Sequence, residues 1–209
     1  MKKLIMSAAV AGLLFAGALT ASAQTSAPAP APDTTTVPTP VELDGLSLTL
    51  PAGFSKFEKQ EQTVQSDSGP ILNVTNISKS VTGEVIIVSY SDFSGPLLNP
   101  NQMMTSGKDS LLKGAGAQSE SEEFAELDGN PGMKLLFSAQ QPRPLFGRGQ
   151  YAVDDDRMYQ MIFLTNSAER RASPVAETFF SSIDLTEQSP EAPVETTEPA
   201  AAAAPSSNR

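Results

Sequence analysis

The middle of the chain is built from short apolar runs separated by turn residues, a pattern that predicts strands. Residues 46–50 alternate apolar and polar positions and end at a Pro-Ala-Gly turn. Residues 71–77 form a second run rich in β-branched side chains. Residues 84–90 (EVIIVSY) place apolar side chains on both faces of a strand, which is typical of a central strand covered on each side. Turn residues also separate residues 120–127 from residues 133–139, which predicts an antiparallel pair.

Two helices are predicted between and after these strands. Asn99 and Pro100 form a helix start, with an Asn cap and Pro at the first helical position, and the following apolar spacing predicts a helix over residues 100–114. Residues 149–153 and 157–165 then predict a further hairpin. Ser173 and Pro174 begin a last helix whose apolar positions fall on one face: Val175, Ala176, Phe179, Phe180 and Ile183. The order of elements predicts an α+β domain with a mainly antiparallel sheet and a C-terminal helix.

Composition changes sharply at both ends of this region. Residues 1–23 have a basic start, an apolar run and an Ala-Ser-Ala sequence, which predicts a signal peptide cleaved after Ala23 and therefore export to the periplasm or medium. Residues 24–41 and 187–209 are rich in Pro and lack aromatic side chains, so we interpret them as a disordered linker and a disordered tail. The folded domain is accordingly placed at residues 42–186.

The overall charge and the missing residue types restrict the possible functions. The 209 residues include no Cys, His or Trp. Disulfides, thiol nucleophiles and imidazole bases are therefore absent, as are the usual Cys/His zinc sites. The formal net charge is −10, which disfavours nucleic acid and anionic lipid as partners. We expect no cofactor and no membrane segment after signal removal, and we expect a protein or envelope component as partner.

Five stretches of the sequence are informative together: LTLPAGF at residues 48–54, LDGNPGMKL at residues 127–135, Tyr151, YQMIF at residues 159–163 and FFSSIDL at residues 179–185. They resemble the family of PsbP-like, DcrB-like and Mog-type proteins. The resemblance spans nearly the whole domain and implies an α/β/α sandwich around an antiparallel sheet. It also implies a small non-enzymatic protein that binds other molecules or assists their assembly. A small GTPase, the partner in the Mog-type branch, does not agree with an exported chain.

The best candidate for contact with a partner is the segment QQPRPLFGRG at residues 140–149. It resembles an irregular Pro/Gly loop with an apolar tip between two arginines, and this composition is typical of a small interface hot spot. The candidate residues are Arg143, Leu145, Phe146 and Arg148. The alternative is a simple hairpin connection in which Phe146 packs into the core.

Two acidic clusters offer weaker chemistry. Asp154, Asp155 and Asp156 provide carboxylates of the kind that bind Ca²⁺, but they lack the alternating spacing of an EF-hand, so a solvated hairpin tip is the alternative. In the segment 120–127, Glu120, Glu122 and Glu126 would share one strand face, as a carboxylate-dependent hydrolase could use. A charged edge strand that prevents aggregation explains these glutamates equally well.

From the sequence we therefore expect a non-catalytic binding or assembly-assisting protein of the cell envelope. A small-ligand or cation-binding periplasmic module is the first alternative, and a hydrolase is the second.

Overall fold

The computed structural model describes residues 34–66, 69–94, 99–140 and 143–185. The predicted signal peptide, most of the predicted linker and the predicted C-terminal tail lie outside the described residues. Within the described part, the chain forms nine strands, two α-helices and a short 3-10 helix at Glu169–Ala172. In chain order the strands and helices are β1 (Thr39–Leu43), β2 (Leu46–Leu50), β3 (Glu58–Ser66), β4 (Gly69–Lys79), β5 (Val85–Asp92), α1 (Pro100–Ala115), β6 (Gln118–Leu127), β7 (Asn130–Ala139), β8 (Leu145–Asp154), β9 (Arg157–Thr165) and α2 (Pro174–Ser181).

Seven of the strands form one antiparallel sheet in the order β3-β4-β5-β9-β8-β7-β6. β1 and β2 form a separate antiparallel hairpin. The prediction of a mixed α and β fold with a mainly antiparallel sheet is confirmed. β5 lies between β4 and β9, so the prediction of a central strand from the apolar run at residues 84–90 is also confirmed.

Local sequence signals determine where the hairpins turn. Asp44-Gly45 joins β1 to β2, and Asp128-Gly129 joins β6 to β7, with positive φ at all four residues. A two-residue turn with positive φ at both positions matches the twist of the flanking strands, and Asp-Gly is among its preferred sequences. The predicted turn around residue 128 is therefore confirmed.

Helix α1 begins and ends where its caps predict. The Asn99 side chain accepts a hydrogen bond from the Gln102 amide, Pro100 occupies the first turn, and Gly116 closes the helix in the left-handed conformation. These contacts satisfy backbone groups that a helix leaves open at its ends. The predicted helix over residues 100–114 is thus confirmed to within one residue.

The sheet separates two hydrophobic cores, because neighbouring residues on its strands point to opposite faces. On one face, here called the α1 face, Met104 and Leu111 of α1 pack with residues such as Phe137. On the other, here called the α2 face, Phe179 of α2 packs with Leu48 of the β1–β2 hairpin. The second face is thus covered by a hairpin as well as a helix.

The folded domain begins earlier than residue 42, where the sequence placed its boundary. Residues 39–41, assigned to the linker, belong to β1 and pair with β2. The Thr35 amide also donates a hydrogen bond to the Phe54 carbonyl at 2.8 Å. The prediction was wrong here because composition cannot reveal hydrogen bonds that a polar segment makes with residues distant in sequence.

Neither of the two described α-helices has the length and apolar composition needed to span a membrane.

Candidate functional site

An open groove lies on the α2 face between α2 and the strands β7 and β8. We call it the α2 groove; its volume is about 320 Å³. It is lined by Leu127, Asp128, Lys134, Arg148, Gln150, Met161, Glu177, Phe180, Ser181, Ile183 and Leu185. The groove thus combines one helix, the segment that follows it and the sheet floor, in a size range that small-molecule sites occupy from roughly 300 Å³ upward.

The floor of the groove follows from the strand register. Lys134 on β7 lies opposite Gln150 on β8, which in turn lies opposite Met161 on β9. Residues opposite one another in an antiparallel sheet share a face, so these three side chains form one row under the groove. Along this row the side chain is charged at Lys134, an amide at Gln150 and apolar at Met161. The floor of the groove therefore has a polar side and an apolar side.

Gln150 is the unusual member of this row. The residue is 7% exposed and its side chain lines the groove. It makes no hydrogen bond to any described residue. Its amide atoms are nevertheless not fully buried, unlike Asn73 Nδ2 and Thr75 Oγ1, because they are reached from the groove. Its donor and acceptor atoms are therefore available to whatever occupies the groove.

Arg148 forms the end of the groove nearest α2. Its Nη1 donates to Glu177 Oε1 at 2.5 Å, and its guanidinium carbon lies 4.4 Å from the centre of the Phe180 ring. An arginine held by a carboxylate and an aromatic face has a fixed orientation, and its remaining N–H groups can still donate. Arg148 thus offers an oriented donor group at the groove wall.

The charged side chains of the groove differ in whether they have a partner among the described residues. Glu177 is paired with Arg148, and Asp128 accepts a hydrogen bond from the Leu185 amide at 3.2 Å. Lys134 is exposed and makes no ion pair within the described part of the chain, even with Glu123 opposite it on β6. The ammonium of Lys134 is therefore the ionised group of the lining that lacks a partner among the described residues.

The four residues predicted as a partner-binding loop do not form a loop tip. Arg143 is exposed before β8, but Leu145, Phe146 and Arg148 lie within β8 and are half-buried. Leu145 packs into the core of the α1 face, whereas Phe146 lies under the Arg171 guanidinium at 5.5 Å. The expected exposed apolar tip was wrong, because β8 begins earlier than its Pro and Gly residues suggest. Of the four, Arg148 lines the α2 groove.

The three aspartates at residues 154–156 form the tip of the β8–β9 hairpin. Asp154 ends β8, and Asp155 has a positive φ of 47°. The Asp156 carbonyl accepts a hydrogen bond from the Phe93 amide at 2.9 Å. No group of three or more acidic residues in the described segments has the geometry to hold a metal ion. The arrangement therefore matches the alternative of a hairpin tip.

The glutamates of β6 do not share one face, contrary to the expectation from strand alternation. The register shifts between Ser119 and Ser121, so Glu120 lies in a bulge. Glu120 pairs with Arg171 at 2.6 Å, while Glu122 pairs with Lys108 of α1 at 2.6 Å. Hydrogen bonds to the Glu120 carboxylate from Ser138 and Arg171 lower its pKa, which is the opposite of what a general acid needs.

Sequence reasoning missed a cluster around Arg157 at the end of the α2 face. Arg157 forms a bidentate pair with Asp92, and its guanidinium carbon lies 4.3 Å from the centre of the Tyr90 ring. Tyr90 donates to Asp44 at 2.5 Å, which holds the β1–β2 turn against the sheet. Burial opposes the charged guanidinium, but the bonds to Asp92 outweigh it and raise the Arg157 pKa. The cluster therefore anchors the hairpin.

A second cavity of about 260 Å³ lies near the start of α2. Its buried carboxylate, Glu84, accepts a hydrogen bond from Thr82 Oγ1 at 2.9 Å and lies 3.4 Å from Arg170 Nη1. These contacts close the β4–β5 turn. The carboxylate is thus already satisfied, and the α2 groove remains the better candidate.

Comparison with known proteins adds little to this description. No protein-family model matches the chain, and no curated protein matches it. Among solved structures, it is similar to PA94 of Pseudomonas aeruginosa, a protein described as being of unknown function and proposed to be a regulator. The two are 12% identical, the match covers 64% of this chain and 85% of that chain, and the TM-score is 0.32. Similarity at this level carries no functional argument.

Proposed function

We propose that this protein is an exported, non-catalytic binding or assembly-assisting protein of the cell envelope, and that its partner docks in the α2 groove. The observation that carries the proposal is Gln150, whose side chain is buried on the groove floor without a hydrogen bond to any described residue. Its amide nitrogen and oxygen are reached from the groove, so a bound ligand could hydrogen-bond to both. Half-buried Ile183 would supply apolar contact area beside it, together with the groove-facing edges of the buried residues Phe180 and Leu185.

Five titratable groups of the described residues have pKa values shifted away from neutrality, which supports a non-catalytic role for these five groups. Burial raises the pKa of Tyr90, Tyr151 and Tyr159, and hydrogen bonding to Glu122 raises the pKa of Lys108. The pKa of Glu120 is lowered. Each of these shifts fixes the group in its ordinary protonation state near neutral pH, whereas a general acid or base needs a pKa moved toward neutrality.

The resemblance to PsbP-like, DcrB-like and Mog-type proteins remains part of this proposal, together with the α/β/α sandwich that it implies. Its structural support is that α1 and α2 pack on opposite faces of the sheet. Export rests on the signal-like sequence of residues 1–23. The β1–β2 hairpin on the α2 face is an addition that the sandwich description does not contain.

Photocrosslinking in the native host tests the docking site. A photoreactive benzoylphenylalanine replaces Ser181 on the groove wall, and a control variant carries it at Asn101 on the exposed side of α1. We expect a discrete adduct from position 181 that is absent from position 101. Adducts of equal yield from both positions, or none from position 181, would contradict the proposal.

A pair of variants distinguishes docking in the groove from a general effect of removing positive charge. Arg148→Met removes the guanidinium but keeps an apolar chain on Phe180, so we expect it to reduce the adduct at unchanged melting temperature. Lys79→Met is the control, because Lys79 is an exposed cation on β4 outside the groove. Equal loss in both variants would indicate a general effect of charge rather than docking in the groove.

A further inference from the structure

Two cations of the α2 groove, Lys134 and Arg148, can donate to an anionic group on the ligand. Glu177 is paired with Arg148, and Asp128 accepts a hydrogen bond from the Leu185 amide. Lys134 has no ion-pair partner among the described residues, and the Arg148 guanidinium retains N–H groups beyond the one bonded to Glu177. A carboxylate placed between β7 and β8 could accept from both cations, and such charge-assisted hydrogen bonds are among the stronger ones.

The groove floor next to these cations favours an amide on the ligand. Gln150 lies opposite Lys134 in the register and two residues along β8 from Arg148. Its side chain offers both a donor and an acceptor, as a peptide group does. A peptide group on the ligand could therefore bond to both the NH2 donor and the carbonyl acceptor of Gln150. The ligand carboxylate would then lie beside the neighbouring strand, near Lys134.

The opposite side of the groove is apolar and of limited size. Phe180, Ile183 and Leu185 contribute hydrocarbon surface next to the floor. The volume of about 320 Å³ is near the lower end of ligand sites, which range from roughly 300 to 1,000 Å³. This space is suited to one or two amino-acid residues rather than to a large cofactor.

We propose that the α2 groove binds the carboxyl-terminal residue of a partner peptide. Its carboxylate pairs with Lys134 and Arg148, its last peptide group bonds to Gln150, and its apolar side chain packs beside Phe180 and Ile183. This assignment rests on the proposed binding function and names the chemistry of the partner.

Titration of the purified chain with small probes, followed by NMR chemical shifts, tests the assignment. The main probe is N-acetyl-leucine, which carries a carboxylate, a peptide group and an apolar side chain. N-acetyl-leucine amide lacks the carboxylate, and 4-methylpentanoate lacks the peptide group. We expect saturable shifts on β7, β8 and α2 with the first probe and at least about tenfold weaker binding of the other two.

Variants locate the contacts on the chain. Lys134→Gln should weaken N-acetyl-leucine binding about tenfold and should bring it close to the binding of the amide probe. Gln150→Met, which keeps the side-chain volume, should remove the advantage over 4-methylpentanoate. Lys79→Gln is the matched control, an exposed lysine on β4 outside the groove, and should leave binding unchanged.

The outcomes separate this inference from the proposed function. Equal binding of all three probes, no saturable binding of N-acetyl-leucine, or a Lys134→Gln effect no larger than that of Lys79→Gln would overturn the carboxyl-terminal assignment. A Ser181 crosslink that persists in those cases would preserve docking in the groove with another ligand chemistry. A Ser181 adduct of twice the chain mass would instead identify a second copy as the occupant and overturn the inference.

Discussion

Gly147 on β8 leaves the space that the ring of Phe137 occupies on the α1 face. The two residues are register partners on β7 and β8, and Phe137 is 0% exposed. A Cβ atom added at Gly147 would lie 2.1 Å from the end of the Phe137 ring. Because that ring is fully buried, it cannot turn away into solvent. Because Gly147 on β8 has no side chain, the large ring of Phe137 fits beside it on β7.

Gly147→Ala should therefore destabilise the fold by about 1–3 kcal/mol, the usual cost of overpacking a core. The free energy of unfolding in urea measures it. Gly149→Ala is the matched control two residues along the same strand, since its Cβ would meet its nearest atoms at 3.7 Å, an ordinary contact. Similar stability of the two variants would show that the Phe137 ring adapts at little cost.

At the scale of elements, α2 packs on the α2 face of the sheet with two buried aromatic rings, those of Phe179 and Phe180. Phe179 is 0% exposed and lies 4.8 Å from Phe180 between ring centres. The short helix is fixed at its start by Ser173, which accepts a hydrogen bond from the Ala176 amide. With eight residues the helix is too short to be stable by itself. Its position, and with it one wall of the α2 groove, depends on this packing.

Phe179→Ala should cost roughly 3–5 kcal/mol, because a large buried ring is replaced by a cavity. Thermal or urea unfolding followed by circular dichroism measures the loss. Ser181→Ala in the same helix changes an exposed residue and should alter the free energy of unfolding by about 0.5 kcal/mol or less. A loss below about 1 kcal/mol at Phe179 would mean that α2 contributes little to the core.

Elements with a local signal could be predicted from the sequence, and those that depend on distant pairing could not. The Asn99-Pro100 cap and the Asp128-Gly129 turn identified α1 and the β6–β7 hairpin. β3 was not predicted, because its residues are mostly polar on both faces and it is held by pairing with β4. The α2 groove was missed for a similar reason.

The groove depends on topology more than on any motif. Lys134 and Gln150 become neighbours through the β7–β8 register, and Glu177 reaches Arg148 from an element that follows them in the chain. The sequence did single out Arg148, but for an exposed loop that does not form. No local pattern marks Gln150, whose role follows from burial and missing hydrogen bonds.

At the scale of the whole molecule, every tyrosine of the chain lies inside the sheet. There are three, Tyr90, Tyr151 and Tyr159, and each is at most 4% exposed. Tyr90 and Tyr159 donate to Asp44 and to the Gly45 carbonyl, whereas Tyr151 accepts from Gln160 at 2.8 Å. Desolvation is the leading cause that raises the pKa of all three phenols. The tyrosines therefore report on the integrity of both faces at once.

These shifts make stability depend on pH in the alkaline range. Above the unfolded pKa of about 10, the unfolded chain releases phenol protons that the folded chain retains. The unfolded state then binds fewer protons, so the free energy of unfolding falls as pH rises from about 10 through the folded pKa values.

We expect the three phenols to ionise together with the loss of sheet structure, in one cooperative step. Ultraviolet absorbance of the phenolate and circular dichroism measure the two events, and the chain has no Trp to obscure the absorbance. A phenol that titrates near pH 10 while the dichroism of the sheet is unchanged would show that its ring is open to solvent.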